Sequence, residues 1–132
     1  MLHPPLCEFY VVRLAGSEDV DVAGLLGNEV LFRLSVMNSA FRRWRQVAHL
    51  PLSAEEQSKH YVFFKQGAIN GRFTLYWEAD GRAHTEPATF DECVGLERAA
   101  VWDAEHVEDR LRDHFAGVPN KWEISLRPRP PA

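Results

Sequence analysis

The sequence predicts an α+β fold, and three observations carry that prediction. Between Tyr61 and Thr89 apolar and polar residues alternate, and the run is punctuated by Asn70-Gly71 and Asp80-Gly81, pairs that tolerate the positive φ angles of tight hairpin turns. On either side lie segments in which apolar residues recur every three or four positions, the spacing of one helix face. Further strand-like segments stand near each end of the chain.

In chain order, Cys7 to Leu14 is rich in β-branched and aromatic residues and reads as a strand. Its apolar side chains have both parities, which predicts a central place in a sheet. Ser17, Asp19 and Asp21 offer caps to a short helix broken at Gly27-Asn28. Val30, Leu34, Met37, Phe41, Trp44 and Ala48 form a helical stripe that Pro51 closes, and Ser53 with Glu56 makes a capping box for another turn or two. Three strands follow, Tyr61 to Ile69, Arg72 to Ala79 and Arg82 to Thr89. Thr89 and Glu92 form a second capping box. Ala100, Ala104, Val107, Leu111 and Phe115 share a helix face, recapped at Asp103 and stopped by Gly117-Val118-Pro119. Lys121 to Arg127 alternates as a last strand, and a proline-rich tail frays from about residue 128.

The resulting order, β-α-β-β-β-α-β, is that of a ferredoxin-like plait with one extra hairpin strand, a mainly antiparallel sheet with its helices on one face. A cystatin-like or other α+β roll is the competing architecture. With 132 residues, no internal repeat and no linker, the chain is expected to form a single domain.

Composition removes several function classes. No apolar run approaches the ~20 residues of a membrane-spanning helix, and Met1-Leu2-His3-Pro4-Pro5 lacks the pattern of a secretory leader. The expected compartment is the cytoplasm, with no membrane partner. Cys7 and Cys93 form neither a disulfide framework nor a zinc motif and are expected as reduced thiols in the core. No phosphate loop, Rossmann glycine pattern or nucleophile elbow is present, so no cofactor is expected.

Charge is unevenly spread around the net −4. Val30 to Ala54 holds four arginines and no acid, whereas Glu78 to Asp113 holds eleven acids against four arginines. Arg42, Arg43 and Arg45 around Trp44 resemble a nucleic-acid patch, yet Trp44 falls on the apolar stripe and arginines at a helix C-terminus also suit the helix dipole. Asp103, His106, Asp109, Asp113 and His114 lie at helical spacing, as either a metal-ligand cluster or an ordinary acidic face.

Two-residue turns at both glycine pairs would set Ile69 against Arg72, Gln66 against Leu75, Trp77 against His84 and Leu75 against Glu86. One face then carries Phe64, Phe73, Leu75 and Trp77 with three polar outliers, Gln66, His84 and Glu86. Buried polar groups need partners, so these three either form an acid–base or ligand-orienting cluster, or mark an outer edge strand that reaches solvent. The opposite face presents Tyr61, Phe63, Ile69 and Tyr76, an apolar patch suited to a homodimer or protein partner. The leading expectation is therefore a noncatalytic binding or interaction domain that uses this sheet face. The alternatives are a small cofactor-independent enzyme with His84 as acid or base and Glu86 orienting it, and an arginine-mediated nucleic-acid binder.

Overall fold

A computed structural model describes residues 4–12 and 22–130. They are mixed α+β, with two three-stranded sheets and several short helices. Two compact units are present, one within Met1–Leu50 together with Val101–Glu105, the other within Pro51–Ala100 together with His106–Ala132.

In the first unit, β1 (Leu6–Tyr10) pairs antiparallel with β2 (Val30–Val36), which pairs parallel with the short β6 (Val101–Trp102). Two expectations are corrected here. β2 is the central strand and β1 an edge, and Val30–Val36 is not the start of a helix. Phe32, Leu34 and Val36 are buried while Leu31, Arg33 and Ser35 between them are half-buried, so a period of two governs the segment. Leu34 belongs to both patterns. The helical stripe would have buried Met37 and Phe41, which are 45% and 50% exposed. Helix survives only as the single turn α2 (Ala40–Arg43). α1 (Val22–Leu25) ends where expected, with Asn28 N–H bonded to Leu25 O at 3.0 Å. Its expected caps Ser17, Asp19 and Asp21 lie outside the described residues.

The second unit begins with α3 (Ala54–Ser58), whose capping box forms as the sequence predicts. Glu56 N–H donates to Ser53 Oγ at 3.1 Å, and Ser53 N–H donates to Glu56 Oε1 at 3.3 Å. The antiparallel meander follows, β3 (Phe63–Gln66), β4 (Phe73–Ala79) and β5 (Arg82–Ala88). Asp80 and Gly81 both take positive φ, 54° and 71°, and β4 and β5 adopt the predicted register, Ala79↔Arg82, Trp77↔His84 and Leu75↔Glu86.

The first hairpin differs by two residues. Gln66 faces Phe73 and Phe64 faces Leu75, because the connection is wider than Asn70-Gly71 alone. Gly71 N–H bonds Gly67 O at 3.0 Å, and Asn70 Oδ1 accepts from Arg72 N–H at 2.9 Å. Only Gly71 of that pair has positive φ, whereas a type I′ turn needs it at both central residues. A slip of two leaves each side chain on its expected face.

Phe64, Phe73 and Cys93 form the core of this unit, with Leu75, Ala88, Phe90 and Leu96 packed against them. The second capping box starts α4 (Phe90–Cys93), and Glu92 N–H reaches Thr89 Oγ1 at 3.3 Å. β3's outer edge is met by residues 97–99: Phe64 N–H donates to Glu97 O and Ala99 N–H to Phe64 O. α5 (Ala104–Ala116) ends in a Schellman motif, with Gly117 at φ 71° and bonds from Gly117 N–H to His114 O and from Val118 N–H to Asp113 O.

Lys121–Ser125 is the second corrected segment, a helix (α6) rather than a strand. Asn120 supplies its N-cap, accepting from Glu123 N–H at 2.9 Å, and donates from Nδ2 to Asp113 at 2.9 Å. A cap that also fixes the segment to α5 outweighs the alternation over so few residues. With Val30–Val36 a strand and Lys121–Ser125 a helix, and with the strands divided between two sheets, the order is not that of a ferredoxin-like plait.

The Gly67 turn gives a direct test. A Cβ at Gly67 would run into Asn70 Oδ1, displacing the Asn70–Arg72 bond. Gly67→Ala is expected to cost about 1 kcal/mol in urea unfolding, and much less when introduced beside Asn70→Ala; additive costs would show that the turn is not held this way.

Candidate functional site

The three polar outliers of the meander are each placed differently. His84 stacks on Trp77, ring centroids 5.4 Å apart and planes 9° from parallel, with Nε2 3.4 Å from Ala79 O. Glu86, two residues along β5, is exposed, and its side chain makes no hydrogen bond or ion pair among the described residues. The side chains of His84 and Glu86 share a face but not a hydrogen bond. Gln66 is the outlier that finds strong partners: its Nε2 donates to Arg129 O and its Oε1 accepts from Arg129 N–H, both at 3.0 Å. The sequence required a partner for this amide, and the backbone near the C-terminus supplies it.

On the opposite face, Phe63, Tyr76 and Thr85 form one cross-strand row, and Lys65, Thr74 and Pro87 the next. Lys65 Nζ lies 4.2 Å above the Tyr76 ring, and Tyr76 Oη–H donates to Glu78 Oε1 at 2.7 Å. That bond to Glu78, with burial and the carboxylate's charge adding, pushes the Tyr76 phenol up to about 12. Tyr61 is half-buried two residues before β3. Ile69 is not on this face: the wider turn carries it to the hairpin tip, where it is fully exposed.

The arginine patch is arranged around a packed tryptophan. Trp44 meets Phe9 and Phe41 edge-on, at 6.0 and 6.3 Å between centroids. Arg42 and Arg43 end α2, Arg45 follows Trp44, and Arg43 lies 3.9 Å from Glu105. The ring that was a candidate for base stacking is thus occupied by side chains of its own unit.

Of the acidic and histidine residues singled out, His106, Asp109 and Asp113 hold α6 and its cap, whereas His114 meets Phe115 edge-on. His106 stacks on Trp122 with centroids 3.6 Å apart, Trp122 Nε1–H donates to Asp109 Oδ2 at 3.1 Å, and Arg112 pairs with Asp109. Among the described residues no group of three or more His, Cys, Asp or Glu is placed to hold a metal ion.

One feature was not singled out from sequence. A groove of about 390 Å³ lies between residues 94–98 and the segment from Glu123 to Pro128. Arg98 lines it, donating from Nε to Leu126 O at 3.0 Å and from Nη2 to Arg127 O at 3.4 Å. Nothing in the spacing around Leu96-Glu97-Arg98 distinguishes that arginine from a surface charge; its place follows from the bridge between Phe64 and Arg98. Comparison with protein-family models, curated protein sequences and solved structures returned no match.

Two titrations test these contacts. Asp109 is held below its ordinary value first by the Trp122 hydrogen bond and then by Arg112, with the charges of Arg112 and His106 adding and burial opposing. A depressed carboxyl stabilises the fold above its unfolded pKa, and that contribution is lost as pH falls through the folded value. The Trp122 Nε1–H resonance is therefore expected to shift on acidification below the ordinary aspartate range, and Asp109→Asn to remove that step; an unchanged titration in the variant would refute the coupling. At the alkaline end the raised Tyr76 pKa contributes stability below the unfolded tyrosine value, lost as pH rises toward 12. Ultraviolet titration, differenced against Tyr76→Phe, should show this phenol ionising near 12 and Glu78→Gln returning it toward the ordinary tyrosine value.

Proposed function

We propose that this chain is a noncatalytic interaction domain that associates, through the outward face of the β3-β4-β5 sheet, with a second copy of itself. The observation that carries the reading is the charge order on that face. An aromatic row, Phe63 and Tyr76 beside Thr85, is flanked by Lys65 toward one end and Glu78 toward the other. A two-fold axis across the strands at that row lays the Lys65 end of one copy over the Glu78 end of the other, so the face is complementary to itself. Burying Phe63 and Tyr76 against their counterparts supplies the apolar centre that such an interface needs. Stacking of His84 on Trp77 and exposure of Glu86 favour this reading over an acid–base pair.

The cytoplasm is the compartment that accompanies the proposal. Cys7 and Cys93 are unbonded thiols, as reducing surroundings maintain them, and no helix among the described residues is long and apolar enough to cross a membrane. Burial pushes the Cys7 thiol up, and burial together with Glu92 does so for Cys93, which keeps both protonated and unreactive.

Sedimentation equilibrium decides the matter. The wild-type chain is expected to dimerise at micromolar concentration and Phe63→Asp to sediment as the 15.1 kDa monomer. Lys65→Glu and Glu78→Lys should each weaken the dimer, and the double exchange should restore it. A wild-type monomer throughout, or a dimer indifferent to both exchanges, would overturn the proposal.

A further inference from the structure

We infer that the groove between residues 94–98 and the α6 segment binds a small carboxylate with an apolar body. Its lining supplies both halves of such a ligand's complement. Phe90, Val94, Leu96, Leu126 and Pro128 provide apolar walls, and its volume of about 390 Å³ falls in the lower part of the roughly 300–1,000 Å³ range of small-molecule sites.

The charge balance within the groove selects an anion. Its two acids are already engaged by forked guanidinium contacts. Glu97 accepts from Arg110 Nη1 and Nη2 at 2.9 and 2.8 Å, and Glu123 accepts from Arg127 Nε and Nη2 at 2.9 and 2.8 Å. Arg98 has no such counter-charge among the described residues. Its contacts are two main-chain carbonyls and the face of Phe64, 4.9 Å from the ring centroid. Burial, and secondarily the nearby Arg129, push its pKa down, the direction expected of a half-buried cation whose charge is unmet. A guanidinium carries five donor hydrogens, and the carbonyls of Leu126 and Arg127 use two. The remaining donors, beside apolar walls, are what a carboxylate on a hydrocarbon or aryl body requires, because a charge-assisted bond gains strength where water is partly excluded.

The probe is 4-phenylbutanoate, with 4-phenylbutanamide as its uncharged counterpart, followed by amide chemical shifts and titration calorimetry on the full chain. Saturable binding is expected, with shifts concentrated at residues 94–98 and 126–128. The acid should bind at least about tenfold tighter than the amide, as one charge-assisted hydrogen bond implies, and more weakly as salt rises. Arg98→Gln should remove that preference for the acid. Because Arg98 also holds the segment after α6, a second variant avoids the fold: Val94 is 57% exposed, and Val94→Glu should leave the spectrum folded while weakening the acid at least about tenfold by repulsion. Equal affinity for acid and amide, shifts centred elsewhere, absence of saturation at millimolar probe, or a folded Val94→Glu chain that binds as the wild type would each overturn the assignment. The dimer test of the sheet face is independent, so either proposal can fail alone.

Discussion

Phe64 is the residue around which the meander unit closes. Its ring is fully buried with Phe73 and Cys93, a burial that contributes about 2–3 kcal/mol. Its main chain does as much as its ring. By donating to Glu97 O and accepting from Ala99 N–H, it finishes the exposed side of β3 with a segment that has no regular structure of its own. Residue 98 is thereby held opposite residue 64, and Arg98 is delivered to the carbonyls of Leu126 and Arg127. The groove, the path of the chain after α6 and the packing of α4 on the sheet all follow from that one alignment.

What could be read in the sequence was whatever depends on near neighbours. Asp80-Gly81 dictates its turn because both residues accept positive φ, and the β4–β5 register follows by counting. Ser53 with Glu56 and Thr89 with Glu92 announce helix starts through contacts three residues apart, and Gly117 announces a helix end. Failures came where two periods overlap in one segment. Val30–Val36 satisfies a helical stripe and a strand alternation together, and the choice was made by pairing with Leu6–Tyr10 and Val101–Trp102, partners distant in the chain. Lys121–Ser125 alternates, but Asn120 and Trp122 are claimed by Asp113 and Asp109 on α5. Of the candidate site, face membership survived the two-residue slip of the first hairpin. The role of Gln66 did not emerge, because its partner is a backbone amide 63 residues away, and no side-chain pattern encodes a backbone partner.

The uneven charge map has a local explanation in the second unit. Glu97, Asp109, Asp113 and Glu123 each hold a neighbouring arginine, asparagine or tryptophan, so part of the acid excess is committed to joining α5, α6 and the segment before them. Counting formal charges along the chain suggests an acidic surface; in space, these four carboxylates are bonded within the unit.

The fastening of the chain after α6 has a consequence for which substitutions it tolerates. Arg98 and Gln66 grip residues 126, 127 and 129 by carbonyl and amide groups that every amino acid but proline provides in full. Those bonds ask nothing of the side chains they hold, so positions 126 and 127 are constrained by the groove wall and the Glu123 pair, and position 129 by its main chain alone. In a set of descendants of this chain, variation should accumulate first at position 129 while Arg98 and Gln66 stay fixed.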